Sequence, residues 1–513
     1  MALIPDSILT EPLGAARRWM KVLFQQAEFY QPQTPSGYQI LPFRFARWPD
    51  GEILLTNEVG EFLFLDERAF DQFVEGTIPP SATAYRSLQA AQFLTDCSST
   101  LPLELLATKY RTKRDFLDGF TKLHMFVVTL RCDHSCPYCQ VSRVTQDKTR
   151  FDMSRETAAK AIDLLFGSPA PALKVEFQGG ESLLNFDLIR WCVERIDERN
   201  QAEGRDIEFV IATNLSPLSD EILEFCAAHA ICLSTSLDGP AFIHNANRPR
   251  PGGDSYEVTI RNLERARAVL GHDRVSALMT TTPLSLQHPR EIVGEYVRQG
   301  FDAIFLRSIS PYGFAVKGRR VLAYETDQFL SFYRAALDHI IELNRQGTPF
   351  VEVYSQILLQ KILTPFATGY VDLQSPAGAA IGAVAYNYDG DVYASDEARM
   401  LAEMGDTSFR LGNVRTDSYE AMFGGAVART IVDTSCIETI PGCADCVYAP
   451  YCGSDPVFNW ATQGDPIGHR PTSAFCRKHM GIFEHLFGLL KNGDTFTKSL
   501  FVSWATGQPI VQA

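Results

Sequence analysis

Residues 125–139, MFVVTLRCDHSCPYC, place three cysteines directly after a short apolar run. The run Met125–Leu130 has the length and β-branched content of a buried strand. Cys132, Cys136 and Cys139 follow it with the spacing Cys-x3-Cys-x2-Cys. They would lie on a loop at the carboxyl end of that strand, which is where ligands bind in parallel α/β folds. The stretch therefore predicts a ligand site at one edge of a parallel sheet.

Five further apolar segments follow along the chain, and helical patterns separate them. Repeated βα units predict a parallel sheet with right-handed crossovers, either open or curled into a barrel. Six such units favour an α/β fold built on a partial (β/α)6 barrel of the TIM type. The predicted strands are Met125–Leu130, Lys174–Phe177, Glu208–Ala212, Ile231–Leu237, Ser276–Thr280 and Ala303–Leu306.

The regions on either side of the barrel have other patterns, so we expect three domains in the 513 residues. Residues 1–120 hold three β-prone runs joined by turns and then helical stretches, which predicts a small β-meander with helices. Residues 121–345 form the barrel. Residues 346–513 contain a hairpin at Ala383–Ala394 and a second group of cysteines. This extension has little other regular structure, so a metal centre would stabilise it.

Charge and cysteine content narrow the classes of function. The formal net charge of −14 argues against a nucleic-acid partner, because phosphate binding needs clustered cations. No apolar run is long enough to span a bilayer and the first residues lack a secretory signal, so we expect a cytoplasmic protein without a membrane partner. In that reducing compartment, cysteines grouped within 132–139 and 436–476 indicate metal sites before disulfides.

Three thiolates can hold three irons of a 4Fe–4S cube and leave the fourth iron without a protein ligand. An open coordination position is typical of a reactive metal site rather than a structural one. Two alternatives stay open at this point. The trio could belong to a zinc site completed by His134, or it could be three unrelated buried thiols.

The spacing of the trio, with Tyr138 before the last cysteine, resembles the signature of radical S-adenosylmethionine (SAM) enzymes. After the second predicted strand, the residues Gln178, Gly179, Gly180 and Glu181 are similar to the GGE motif of that family. The resemblance implies that this segment binds the amino group of SAM, and that the protein holds SAM beside a 4Fe–4S cluster. On its own, Gly-Gly-Glu is also a common turn.

Three more residues extend the resemblance. Ser236 ends the fourth predicted strand and resembles the SAM-ribose segment of the family, and Arg248 resembles its carboxylate-binding arginine. Asn214 ends the third predicted strand and would line the same pocket. The alternatives are that Ser236 is an ordinary turn residue and Arg248 a surface charge.

The second cysteine group resembles the SPASM extension of peptide-modifying radical SAM enzymes. The extension usually carries two auxiliary clusters, and the residues that match its outer cluster are Cys443, Cys446, Cys452 and Cys476. A zinc ion on these four cysteines is the alternative.

The inner auxiliary cluster lacks its cysteines in this sequence. Ser375, Ser395 and Pro456 stand where the extension has cluster ligands. We therefore predict one auxiliary cluster, of the 4Fe–4S type. Cys436 could replace a missing ligand or be a spare thiol. Asp396 follows Ser395 at a position where members of the broader family place a catalytic acid or base, although a solvated carboxylate is the alternative.

Several stretches resemble one subgroup, the His-Xaa-Ser system radical SAM maturases. They are Leu41–Phe45, Thr56–Glu61, Cys139–Arg143, Ser395–Met400 and His469–Cys476. This resemblance implies a ribosomally made precursor peptide as substrate, an oxidative crosslink as product and an external one-electron donor such as flavodoxin or ferredoxin. It also implies that residues 1–120 include a peptide-recognition domain, which could bind a leader peptide by β-augmentation.

Other functions remain open from the sequence. The enzyme could oxidise a protein side chain, as sulfatase maturases do. A non-catalytic iron–sulfur scaffold that binds peptides, or an electron carrier, would use the same cysteines. A tRNA-modifying radical SAM enzyme fits the acidic charge less well.

Overall fold

The structure is a computed structural model, and it describes residues 37–96, 100–141, 143–144 and 147–510. Residues 1–36 of the predicted first domain, and Ser142 in one of the subgroup stretches, lie outside the described residues. The strands of the described ranges are β1 (Gln39–Ile40), β2 (Phe43–Arg47), β3 (Ile53–Asn57), β4 (Phe62–Leu65), β5 (Leu94–Thr95), β6 (Leu123–Thr129), β7 (Ala172–Gly179), β8 (Asp206–Ala212), β9 (Cys232–Ser236), β10 (Val275–Leu278), β11 (Ala303–Ile304), β12 (Val351–Glu352), β13 (Ala383–Tyr386), β14 (Asp391–Tyr393) and β15 (Arg410–Asn413).

Helices connect these strands. They are α1 (Glu67–Val74), α2 (Thr83–Ala90), α3 (Leu101–Lys113), α4 (Phe116–Gly119), α5 (Lys148–Phe151), α6 (Arg155–Gly167), α7 (Phe186–Glu203), α8 (Asp220–Ala228), α9 (Ala241–Asn247), α10 (Ser255–Leu270), α11 (Pro289–Arg298), α12 (Phe314–Lys317), α13 (Arg319–Leu322), α14 (Thr326–Arg345), α15 (Val353–Leu363), α16 (Asp396–Ala402), α17 (Tyr419–Phe423), α18 (Ala426–Ser435), α19 (Pro456–Gln463), α20 (Ala474–Asn492) and α21 (Thr495–Thr506). Within the described ranges, no helix is both long enough and apolar enough to cross a membrane.

The main sheet has eight strands in the order β10-β9-β8-β7-β6-β13-β14-β15. The strands from β10 through β6 to β13 are parallel to their neighbours, whereas β14 and β15 are antiparallel. Strand β6 is buried over almost its whole length, as expected for a strand in the interior of a parallel sheet. The predicted α/β fold with a partial parallel barrel is confirmed.

The sixth predicted strand joins the barrel only loosely. Strand β11 pairs in parallel with β12 instead of β10. One parallel bridge between Thr281 and Ser308 connects the end of β10 to the segment after β11, where the Thr281 amide donates to the Arg307 carbonyl at 2.8 Å. Arg307 is thereby held at the carboxyl edge of the barrel.

The predicted hairpin extends the main sheet. Strand β13 is apolar and fully buried, and it pairs in parallel with β6, so it covers the edge that β6 would otherwise leave open. Helix α16 begins just after the hairpin, and this places Asp396 beside the first cysteine loop. The division into three domains at residues 120 and 345 stays a prediction.

The three predicted N-terminal runs form the antiparallel strands β2, β3 and β4. This small sheet packs against the second cysteine loop. Thr56 Oγ1 donates to the Val447 carbonyl at 2.7 Å, and the Tyr451 hydroxyl donates to the Gly60 carbonyl at 2.9 Å. Arg44 Nε donates to the Ala444 carbonyl at 2.5 Å. The sheet therefore contributes directly to the surroundings of the second cysteine group.

Candidate functional site

The first cysteine loop borders a cavity of about 490 Å³, which follows one face of β7 to β10 over most of their length and reaches the loop at their carboxyl ends. Cys132, Cys136 and Cys139 all line it. Backbone hydrogen bonds fix the loop at two points, from the Ser135 amide to the Pro249 carbonyl at 2.7 Å and from the Phe314 amide to the Cys139 carbonyl at 2.8 Å. The fold thus brings the three predicted ligands to one cavity.

Gly179 and Gly180 pack directly against the strand that carries the cysteines. A Cβ on Gly179 would lie 1.9 Å from the Thr129 carbonyl oxygen, and one on Gly180 would lie 2.2 Å from the Arg131 carbonyl oxygen. Gly179 also has a φ of +145°, which side chains disfavour. The glycines therefore serve the close contact between β6 and β7, and both of them line the cavity.

Glu181 does not line the cavity, although its neighbours Gly180 and Asn214 do. Its fully buried carboxylate accepts hydrogen bonds from Thr213 Oγ1 at 2.6 Å, the Asn214 amide at 2.6 Å and the Leu183 amide at 3.0 Å. Burial raises the pKa of Glu181 to about 7. These hydrogen bonds fix the segment that follows β8 and hold Asn214 at the cavity.

Asp238 was not among the site residues predicted from the sequence. It is fully buried, and it accepts hydrogen bonds from the Tyr138 hydroxyl at 2.6 Å and from Arg248 Nε at 3.1 Å. Burial is the largest single influence and would lower the pKa of Arg248, but the charges of Asp238, Tyr138 and Cys136 and the hydrogen bond to Asp238 together raise it. Tyr138, Ser236 and Arg248 all line the cavity. The sequence pattern that could have identified Asp238 is an acidic residue at the end of a predicted buried strand, between Ser236 and Gly239.

The zinc alternative requires a free ring nitrogen on His134, and both nitrogens are engaged. Nδ1 lies 2.9 Å from Asp133 Oδ1 and 2.8 Å from Asn214 Nδ2, while Nε2 lies 2.9 Å from Ser255 Oγ. Cys132, Asp133 and His134 do bring possible ligand atoms near one another. A zinc ion there would have to break this network.

The donor set of the trio fits an iron–sulfur cluster. Soft thiolates on one cavity wall are the ligands that such clusters take in proteins. Burial raises the pKa of Cys136 to about 12, although the nearby Arg248 acts in the opposite direction. The thiol therefore needs a bound metal to ionise at neutral pH.

Asp396, at the start of α16, also lines this cavity. Gln178 Nε2 donates to Asp396 Oδ1 at 2.9 Å, and the fully buried Arg399 donates to the same oxygen at 2.8 Å. Glu176 also lines the cavity, and burial together with the charge of Asp396 raises its pKa to about 7. All predicted residues of the first site except Glu181 therefore meet at one cavity.

The second cysteine group borders a separate cavity of about 820 Å³. The residues of this group that line it are Cys443, Cys446, Cys452 and Cys476. Burial raises the pKa of Cys443 to about 11. Cys436 does not line this cavity, and its thiol donates to the Val432 carbonyl at 3.3 Å. The fold thus brings the four predicted ligands to one cavity, whereas Cys436 lies at the carboxyl end of α18, outside the lining of that cavity.

The residues that stand where an inner cluster would need cysteines have local structural roles; they are Ser375, Ser395 and Pro456. The Ser375 hydroxyl donates to Glu438 at 2.6 Å and accepts from the Ile437 amide at 3.0 Å. Ser395 caps helix α16 by accepting from the Ala398 amide, and Pro456 begins helix α19. These residues offer no soft ligand.

Residues 126–295 match the family model of the radical SAM superfamily. The chain carries a radical SAM domain. The match runs from β6 to α11 and includes the cysteine loop and the cavity wall described above.

A curated relative shares part of this region. The radical SAM cyclopropyl synthase TigE of Paramaledivibacter caminithermalis is 28% identical over 225 residues, which cover 41% of this chain and 44% of TigE. The chain thus matches less than half the length of that relative.

Two solved structures resemble the radical SAM domain and its surroundings. Native anSMEcpe with bound AdoMet has a TM-score of 0.59 at 18% identity, covering 72% of this chain and 98% of that one. Streptococcus suis SuiB bound to precursor peptide SuiA has a TM-score of 0.50 at 13% identity, covering 85% of this chain and 99% of that one. At these identities the similarity shows a shared fold.

Proposed function

We propose that this chain is a radical SAM peptide maturase, which removes hydrogen from a ribosomally made precursor peptide and forms an oxidative crosslink. The observation that carries the proposal is the single cavity lined by Cys132, Cys136 and Cys139 together with the Gly179–Gly180 turn. When bound there, the cluster and SAM would supply a 5′-deoxyadenosyl radical.

The protein's own residues have separate tasks in this proposal. Three thiolates would hold the cluster, and Gly179, Gly180 and Asn214 would contact SAM. Arg248 would attract the SAM carboxylate while Asp238 and Tyr138 hold its guanidinium in place. The barrel walls would position the reacting C–H bond and exclude water.

The four cysteines of the second group would hold one auxiliary 4Fe–4S cluster, with no inner cluster beside it. A closed crosslink needs the loss of a second electron and a proton from the peptide, and an auxiliary cluster is a suitable electron acceptor. An external flavodoxin or ferredoxin would donate the first electron.

The precursor peptide is proposed to carry His-Xaa-Ser repeats. Support comes from the five subgroup stretches in the sequence, four of which the structure describes without gaps. SuiB, which shares the fold, was solved with a precursor peptide bound.

The first experiment tests radical chemistry. Protein reconstituted anaerobically with iron and sulfide should release 5′-deoxyadenosine from SAM when dithionite is added. The Cys136→Ala variant should release none, whereas Cys226→Ala, a buried thiol on α8, should match the wild type. Zinc without iron at the first trio, or an electron paramagnetic resonance spectrum that SAM leaves unchanged, would overturn the proposal in favour of a scaffold or an electron carrier.

The second experiment tests the substrate. Co-expression with a precursor peptide encoded beside this chain, if it carries His-Xaa-Ser repeats, should lower the peptide's mass by about 2 Da per crosslink. An unchanged mass with active enzyme would remove the crosslink from the proposal.

A second candidate function is oxidation of a side chain in a partner protein, as sulfatase maturases perform it. Asp396 favours it, because this carboxylate on the cavity wall could accept the proton that the oxidation releases. In this case Asp396→Asn should lower product formation much more than 5′-deoxyadenosine release.

A further inference from the structure

A third cavity, of about 80 Å³, lies beside the cavity of the first cysteine loop (the main cavity), and Arg307 lines both. Three carboxylates from separate elements border it: Asp372 before the hairpin, Glu397 on α16 and Asp455 at the start of α19. Lys478 on α20 completes the charged lining. The carboxylates lie close in sequence to Ser375, Ser395 and Pro456, where cysteines of an inner cluster are missing.

The charges in this carboxylate cavity do not balance. Three carboxylates face two cations, so the formal charge is 2 − 3 = −1. Among the described residues, neither Arg307 nor Lys478 forms an ion pair with any of the three within 4.0 Å; the Lys478 ammonium lies over the rings of Tyr354 and Phe475 instead, 5.9 and 5.7 Å from their centroids. Burial and the charge of Asp372 raise the pKa of Asp455 to about 7, and the same two causes raise the pKa of Glu397. Ionised together, the three carboxylates would leave one negative charge uncompensated, so the cavity holds either protons on its carboxylates or a guest cation that takes their place.

Tyr312 provides an independent indication of a ligand. Its side chain is 1% exposed and lines the carboxylate cavity, and its hydroxyl has no hydrogen-bond partner in the described part of the chain. A buried hydroxyl without a partner costs free energy. A guest with N–H donors would satisfy this oxygen.

The arrangement suits an organic cation better than a metal ion. In the ranges that the structure describes, the one group whose ligand atoms converge closely enough for an ion is Cys132, Asp133 and His134. The carboxylates of the small cavity are more widely spread. Aromatic side chains line the same cavity, and such walls attract ammonium and guanidinium groups, as they already do for Lys478. The aromatic lining residues are Phe305, Phe329, Tyr354, Tyr370, Phe458 and Phe475.

We propose that the carboxylate cavity binds a cationic side chain of the peptide substrate, such as that of lysine, arginine or protonated histidine. The inference rests on the proposed function, because it needs a peptide in the main cavity. Asp396 and Glu397 are adjacent, and each lines one of the two cavities. A peptide near Asp396 could therefore extend a neighbouring side chain past Arg307 toward Glu397.

Calorimetric titration of the anaerobically reconstituted protein tests this inference. The probes are capped tripeptides, acetyl-Ala-Xaa-Ala-amide, with lysine, arginine, histidine or the neutral norleucine as Xaa. We expect at least one cationic peptide to bind about tenfold more tightly than the norleucine peptide. Equal or absent binding of all four peptides would overturn the inference. Binding of a divalent metal ion would also overturn it, and it would appear as a heat of binding when MgCl2 or CaCl2 is titrated alone that is lost in Glu397→Gln.

Variants separate recognition from folding. Glu397→Gln should remove the preference for the cationic peptide, and Lys478→Met should strengthen it because a competing charge is lost. Glu403→Gln, at the other end of α16 and outside the cavity lining, is the matched control and should bind like the wild type. Tyr312→Phe should weaken binding without lowering the melting temperature. Weaker binding in Lys478→Met would contradict the charge argument.

The same samples distinguish this inference from the proposed function. Release of 5′-deoxyadenosine without any preference for cationic peptides overturns only the carboxylate cavity. Absence of 5′-deoxyadenosine from samples with intact clusters overturns the proposed function itself.

Discussion

Asp238 connects three parts of the cavity wall, because it accepts hydrogen bonds from Tyr138 on the cysteine loop, from Arg248 and from the Thr280 amide after β10. Its side chain is completely shielded from solvent, and that of Arg248 is 14% exposed. A charge pair of this kind has little net stabilising effect when complete, but breaking it leaves an uncompensated buried charge.

We expect Asp238→Asn to lower the free energy of unfolding by about 3 kcal/mol, because Arg248 then stays buried without its counter-charge. Urea unfolding of the two proteins measures the difference. Asp254→Asn is the matched control, since its pair with Arg250 is half exposed and should contribute less than about 1 kcal/mol. Equal effects of the two changes would contradict the role of Asp238.

At the scale of secondary structure, the junction between β6 and β13 attaches the hairpin to the barrel. His124 on β6 is fully buried, and its Nδ1 lies 2.9 Å from the Tyr386 hydroxyl on β13. Burial lowers the pKa of His124 to about 3. The junction is therefore built for a neutral imidazole.

This junction makes stability depend on pH. The pKa of histidine in an unfolded chain is about 6.5, so below that pH the unfolded chain binds a proton at His124 that the folded chain does not bind. The stability contributed by neutral His124 is complete above about pH 6.5 and decreases as the pH falls toward about 3. Relative to His124→Gln, the wild type should lose about 2 kcal/mol between pH 7 and pH 5 in urea unfolding. A pH dependence that is the same in His124→Gln and in the wild type would contradict this role of His124.

Strand β2 is an edge strand of the N-terminal sheet, and residues 45–49 border the cavity of the second cysteine group. No strand of the described ranges pairs with its outer edge, which could take up an added peptide strand. If leader peptides bind there, Phe45→Asp should weaken binding of the precursor peptide by about tenfold in fluorescence anisotropy. Val74→Asp on α1 is the control, because Phe45 and Val74 are both 49% exposed. An identical affinity for wild type and Phe45→Asp would place peptide recognition elsewhere.

At the scale of the whole molecule, the fold contains two cysteine-lined cavities, each proposed to hold one cluster, and the N-terminal sheet packs against the second cysteine group. Anaerobically reconstituted protein should contain about eight irons per chain, four for each cluster. The double variant Cys443→Ser/Cys446→Ser should contain about four and melt at a lower temperature, because metal binding contributes to folding. Iron and sulfide analysis with thermal melting provides the measurement.

Cys436→Ser is the control for that experiment. Its thiol is bonded to a carbonyl of its own helix, so the iron content should not change. A loss of iron in Cys436→Ser would make this residue a ligand, and a content near twelve irons would indicate an inner cluster that Ser375, Ser395 and Pro456 do not supply.

The sequence alone was sufficient for the α/β class and the parallel barrel, because these follow from local patterns, whereas the cluster ligands stay a prediction. Cysteine spacing, apolar runs and glycines next to a strand end are short-range features, and each predicts its own structure. The positions of Tyr138, Gln178 and Arg248 on one cavity then follow from the rule that parallel strands end at a common edge.

Contacts between distant segments were decided only by the tertiary structure. The pairing of β13 with β6, the burial of Asp238 between Tyr138 and Arg248, and the meeting of Asp372, Glu397 and Asp455 each join residues separated by at least ten positions. No local pattern specifies such partners, since they depend on which surfaces the packed core brings together. The sequence determined the chemistry available to this protein, and the fold determined which groups share a cavity.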